Sequence, residues 1–193
     1  MGNGGSENHS RNNWIIFLLT KIYRYAIFVK SFIKVSDMAE KTEQLLAYLI
    51  QNHPFPSVTS LMKLSYIVDL LSIKKTDEQI SDFEYIRYKY GPFDKKIYDY
   101  LHRLLDDGVI LEDSAVTQAG EVVVYKFNEG AELPITEISP AEEEIINGVL
   151  ETLAGYGPKA LIDVTYRTKP MISIGAKQDN EVGLNERLDL RTQ

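Results

Sequence analysis

Three histidines, His9, His53 and His102, are the side chains of this 193-residue sequence best suited to binding a metal or passing a proton. They are far apart in sequence: His9 lies in a polar amino-terminal stretch, His53 precedes Pro54, and His102 falls in a segment with helical spacing. No metal site and no cofactor is expected from them. The sequence has no cysteine, which removes a thiolate nucleophile, a thiolate-ligated metal and a disulfide framework together. A reducing cytoplasm is the natural home for such a chain. A serine or threonine nucleophile would need an adjacent base on a strained turn, and no nucleophile elbow occurs. Gly155-Tyr156-Gly157-Pro158 places a proline where a phosphate loop needs an amide donor, so it reads as a helix terminator. Asp106-Asp107 and Glu142-Glu143-Glu144 fall at helix ends, and solvation and the helix dipole account for at least the second run. The expectation is a protein that works without catalysis.

Two other sets of residues stand out. Tyr85, Tyr88, Tyr90, Phe93, Tyr98 and Tyr100 form a dense aromatic stretch. Core packing explains most of such a set, but tyrosine also gives large amphipathic contact area at low entropic cost and is enriched at interface centres. Interleaved with Arg87 and Lys89, these rings could instead stack on bases. The second set is Lys63, Tyr66 and Asp69, which follow one another at steps of three down an apolar helix. Buried polar groups of this kind must be paired, so a scaffold role comes first and partner contact second.

Charge narrows the choice of partner. The net charge is −7, residues 1–37 carry +3, and the remainder therefore carries −10. An acidic body has no general attraction for a phosphate backbone, so nucleic acid is not expected as the main ligand and a protein partner is favoured.

The elements that would hold these residues can be read along the chain. After a small, polar start, Trp14 to Ile33 is long enough to cross a bilayer, but Lys21 and Arg24 sit near its middle. Each would cost about 2.5 to 3.5 kcal/mol to insert. A basic amphipathic helix, touching a membrane surface or packed on the domain, and upstream sequence ahead of a true start at Met38 are the two readings kept open. Asp37 and Glu40 form a plausible capping pair for a helix with Leu45, Leu46, Leu49 and Ile50 inward, stopped by Pro54. A second helix, from about Thr59 to Ile73, is apolar over so wide an arc that it should be buried on more than one side.

Phe83 to Tyr90 suits a short strand, and Gly91-Pro92 forces a turn. Asp94 can cap a helix carrying Ile97, Leu101, Leu104 and Leu105, which Gly108 closes. Val109 to Leu111 and Val122 to Phe127 read as strands of a hairpin. Ser139-Pro140-Ala141-Glu142 is a helix start with a capping box. Pro158 begins another helix, which Lys169-Pro170 ends. The tail from Lys177 is polar and should carry little structure. Together these predict an α+β, mostly helical single domain with a small antiparallel sheet and a winged-helix-like hairpin after the central helix. A helix followed by a hairpin also leaves a second reading, a winged-helix DNA-binding regulator. The mixed charges of Asp94 to Asp107 argue that the pattern marks architecture, not DNA contact.

Three separated motifs resemble one family. Lys63-Leu64-Ser65-Tyr66-Ile67-Val68-Asp69, then Tyr88-Lys89-Tyr90-Gly91-Pro92, then Leu161-Ile162-Asp163-Val164-Thr165-Tyr166 ahead of Lys169-Pro170 are similar, in that order, to the Panacea domain of the SocA-like antitoxins. Ser65 stands where the family has Leu, Val68 where it has Ala, and Tyr166 where it has His. The resemblance implies a family domain over residues 38–176, an extension at 1–37 and a tail at 177–193. It implies a toxin partner from an adjacent gene, with a protease as a further partner where the protein acts as a proteolytic adaptor. Prophage proteins share the domain, so the resemblance makes a phage or mobile-element origin equally natural, for an antitoxin or for the DNA-binding regulator. The residues it marks, by family motif or partner contact, are Lys63, Tyr66, Asp69, Tyr88, Tyr90, Gly91, Pro92, Asp163 and Thr165.

Overall fold

The computed structural model describes residues 21, 40–117, 120–131 and 136–192. The chain divides into two compact units, Met1–Asp37 and Met38–Gln193. The basic apolar stretch at 14–33, apart from Lys21, and the expected cap at Asp37 lie outside the described residues. Among the described residues no helix is long and apolar enough to cross a membrane.

Among the described residues, six helices and two antiparallel strand pairs make up the second unit, the mostly helical α+β architecture that the sequence predicts. Helix α1 covers residues 40–52 and buries Leu45, Leu46, Leu49 and Ile50, the apolar face read from its spacing. Helix α2 (Val58–Thr76) starts at Ser57, whose hydroxyl accepts from the Ser60 amide at 3.2 Å. It ends on Asp77 in the left-handed region, with φ 62°. Strands β1 (Ile86–Tyr88) and β2 (Gly91–Phe93) form the first pair. Helix α3 (Lys96–Asp106) leads straight into the second, β3 (Ile110–Thr117) with β4 (Gly120–Phe127). Helices α4 (Pro140–Leu153), α5 (Pro158–Thr165) and α6 (Lys169–Ser173) follow. Helix α2 packs against α4, α5 and β2 and buries residues around its circumference, which explains why its apolar surface is so wide.

The capping box of α4 is complete: Ser139 Oγ accepts from the Glu142 amide, and the Glu142 carboxylate accepts from the Ser139 amide at 2.8 Å. Lys169-Pro170, expected only to end a helix, instead opens α6, because proline lacks an amide hydrogen that the first turn does not need. The strand expected over Phe83 to Tyr90 pairs only from Ile86 to Tyr88. Phe83 and Tyr85 are extended into the core instead.

The tail corrects the sequence reading most clearly. Residues expected to carry little structure lie along the free edge of β1. The Arg87 amide donates to Glu186 O (2.8 Å), the Asn185 amide to Arg87 O (2.7 Å) and the Leu188 amide to Tyr85 O (2.8 Å). Ile86 bridges Arg187 in antiparallel sense, and Leu188 is buried. The buried Arg87 guanidinium donates to the carbonyls of Lys177 and Asn180 at the start of this strap. Main-chain pairing of this kind leaves no side-chain period, so a polar sequence can conceal it.

Candidate functional site

Helix α2 carries the Lys63, Tyr66 and Asp69 side chains inward, and all three are buried. They do not form one cluster. Lys63 Nζ donates to Pro92 O at 2.7 Å, tying α2 to the Tyr-Gly-Pro turn. Burial pushes the Lys63 ammonium down from its ordinary 10.5 to about 7, with desolvation as the cause. The Tyr66 hydroxyl shares a 2.8 Å hydrogen bond with Thr168, between α5 and α6, and its burial raises its pKa.

Asp69 sits in a polar knot of its own. Its Oδ1 accepts from the amides of Ile80 (3.1 Å) and Ser81 (3.0 Å), and its Oδ2 from Ser81 Oγ (2.5 Å), Tyr85 Oη (2.6 Å) and Gln79 Nε2 (3.3 Å). Desolvation raises the carboxyl pKa, while these donors pull the other way. So many donors on one carboxylate pin the 79–85 loop to α2, and the residues responsible, Ser81 and Tyr85 above all, are ones that the motif spacing did not reveal.

Gly91 lies at the meeting point of three motif segments. Its φ is +89°, and a Cβ added there would stand 2.9 Å from Thr165 Oγ1 and 3.4 Å from Tyr166 Cε2. Glycine is required twice over, by the backbone conformation and by the close approach of α5. Thr165 is fully buried and donates to Ile162 O at 2.8 Å. The structure therefore brings Lys63, Gly91, Pro92 and Thr165 together. Asp163 stays apart from them, half-buried, accepting from Gln178 Nε2 at 2.5 Å. The hydroxyls of Ser65 and Tyr166, both at positions where the sequence departs from the family motifs, are buried without a protein partner.

The aromatic stretch divides in two. Tyr85 and Tyr100 are buried, and both rings meet Phe83 edge-on. Tyr88, Tyr90 and Tyr98 remain 47 %, 57 % and 47 % exposed. These three, with Phe93, Val58, Thr59, Met62, Gly91 and Lys63, line a groove of about 300 Å³. Phe93 connects the Tyr88 ring (5.3 Å between centroids) to the Tyr98 ring (6.2 Å). Lys89 lies 5.5 Å from the Tyr90 ring at the rim.

Three cations of the helix and hairpin that would face DNA in a winged-helix protein are paired. Arg103 pairs with Glu43 at 2.7 Å, Lys96 with Asp82 at 3.4 Å, and Lys126 with Asp113. The hairpin adds exposed Glu112 and Glu121.

These features define a small, mostly helical α+β domain organised around a buried Lys-Tyr-Asp helix and a Tyr-Gly-Pro turn. The family model for the antitoxin SocA-like, Panacea domain matches residues 61–170, more than half of the chain, from within α2 to the start of α6. The chain belongs to this family. No curated protein matches it, and no solved structure does.

Proposed function

We propose that this protein is an antitoxin that neutralises a toxin by direct, stoichiometric contact, the toxin being the product of an adjacent gene. Family membership supports the antitoxin role. The observation that carries the contact mode is the exposure of Tyr88, Tyr90 and Tyr98 around one groove, beside the buried Gly91 and Pro92. About half of each ring stays in solvent beyond what contact with Phe93 covers, and tyrosine is among the residues that dominate binding energy at interface centres. Delivery of the captured toxin to a protease is the extended form of the same reading, in which the toxin's lifetime falls when the antitoxin is present. The DNA-binding alternative draws no support from the hairpin, whose lysine is paired and whose other charges are acidic.

The test is co-expression with the protein encoded by the neighbouring gene. Rescued growth and co-purification of the two chains are expected, and a Tyr88→Ser/Tyr90→Ser/Tyr98→Ser variant should lose both. No rescue and no co-purification by the unaltered chain contradicts the reading.

A further inference from the structure

We propose that the tyrosine-lined groove receives an acidic side chain, Asp or Glu, of the partner polypeptide, with the carboxylate seated on Lys63 Nζ. The inference rests on the partner-binding reading of this face and adds the chemistry of what enters it. Lys63 is 3 % exposed and lines the groove, yet among the described residues its ammonium has one hydrogen bond, to Pro92 O. An ammonium has three donors, and a buried charge is stable only when paired.

Among the described residues Lys63 makes no ion pair. Asp69, on the same helix, is saturated by its own donors, and Asp94 accepts from the amides of Glu84 and Lys96. The fold thus places the Lys63 amine in the lining of the groove with no carboxylate partner among the described residues. A carboxylate arriving on a partner side chain matches this in charge and restores the ammonium that burial disfavours. Tyrosine hydroxyls on the groove wall can donate to its second oxygen. A phosphate dianion fits less well, since among the described residues that line the groove Lys63 alone is charged.

The experiment uses the full chain and two probes, acetyl-Leu-Glu-Leu-amide and acetyl-Leu-Gln-Leu-amide, titrated while the Lys63 ε-methylene NMR signal is followed. The glutamyl peptide should bind at least about tenfold more tightly than the glutaminyl one, a factor that one charge-assisted contact supplies. It should shift the Lys63 signal saturably, and the preference should vanish in Lys63→Met. Equal affinities, no saturable shift, or a preference that survives in Lys63→Met overturns the proposal. A companion protein that fails to co-purify overturns the antitoxin reading instead, while the peptide result stands on its own.

Discussion

At the scale of single residues, Lys63 and Asp69 show how the same burial leads to different outcomes. Steps of three on an α-helix each fall about 60° short of a full turn. Lys63 and Asp69 are therefore rotated onto different sides of α2, one toward the Tyr-Gly-Pro turn and the other toward the 79–85 loop. The sequence showed that both had to be paired, but not that one would be saturated and the other left with spare donors. The saturated partner is the costlier one to lose. Asp69→Ala strands two amides and two hydroxyls, and should reduce stability by about 3 to 5 kcal/mol in a denaturant titration.

Lys63 contributes in the opposite direction. With its folded-state pKa lowered to about 7, the folded chain has released a proton that the unfolded chain keeps up to its ordinary 10.5. Stability should therefore rise with pH across that window, by at most about 1.4 kcal/mol per pH unit for one proton. Below it both states are charged and the desolvation penalty is present in full. Lys63→Met should be the more stable protein at neutral pH and should lose this rise, as denaturant midpoints between about pH 7 and pH 10 would show. Ser65 offers a smaller check on the same logic. Its buried hydroxyl has no protein partner, so Ser65→Ala should be neutral or stabilising by about 1 kcal/mol.

Among the elements, those defined by local chemistry were legible and those defined by distant main-chain pairing were not. Ser139-Pro140-Ala141-Glu142 forms the capping box that its residue types imply, and Pro158 begins α5 as read. The hairpin is legible but reads shorter than it is, because β3 carries Glu112, Asp113 and Ser114 on a largely exposed strand with little apolar alternation. The order of the tail is not legible in the sequence because its attachment to β1 uses amides and carbonyls. Shortening the chain to end at Ala176 would remove the acceptors of Arg87 and uncover the β1 edge. The shortened protein should melt at a clearly lower temperature, and amide exchange at Arg87 should accelerate as its acceptor on Glu186 is lost.

The Tyr-Gly-Pro turn makes the sharpest demand on a single position. Gly91→Ala meets both a left-handed backbone and the Thr165 hydroxyl, and should destabilise by about 1 to 3 kcal/mol. Adding Thr165→Ala should recover the steric part alone. Calorimetric melting of the single and double variants separates the two.

For the whole molecule, composition and charge led toward a binding protein, and three short motifs in order led to the family that the match over residues 61–170 establishes. The location of the candidate contact face was only half legible. The sequence grouped six aromatic residues, and packing decides which of them α2 and the core absorb: Tyr85 and Tyr100 inward, Tyr88, Tyr90 and Tyr98 outward. No periodicity in the stretch distinguishes the two groups, because it spans a strand, a turn and a helix.

The most direct measurement is a binding titration of the purified neighbouring-gene product against the unaltered chain and against Tyr88→Ser/Tyr90→Ser/Tyr98→Ser, with thermal melts run alongside. Three exposed anchor residues are worth roughly 3 kcal/mol together, so the variant should bind at least about a hundredfold more weakly while melting like the unaltered chain. Equal affinity in a variant that keeps its melting temperature would place the toxin on another face and contradict the account.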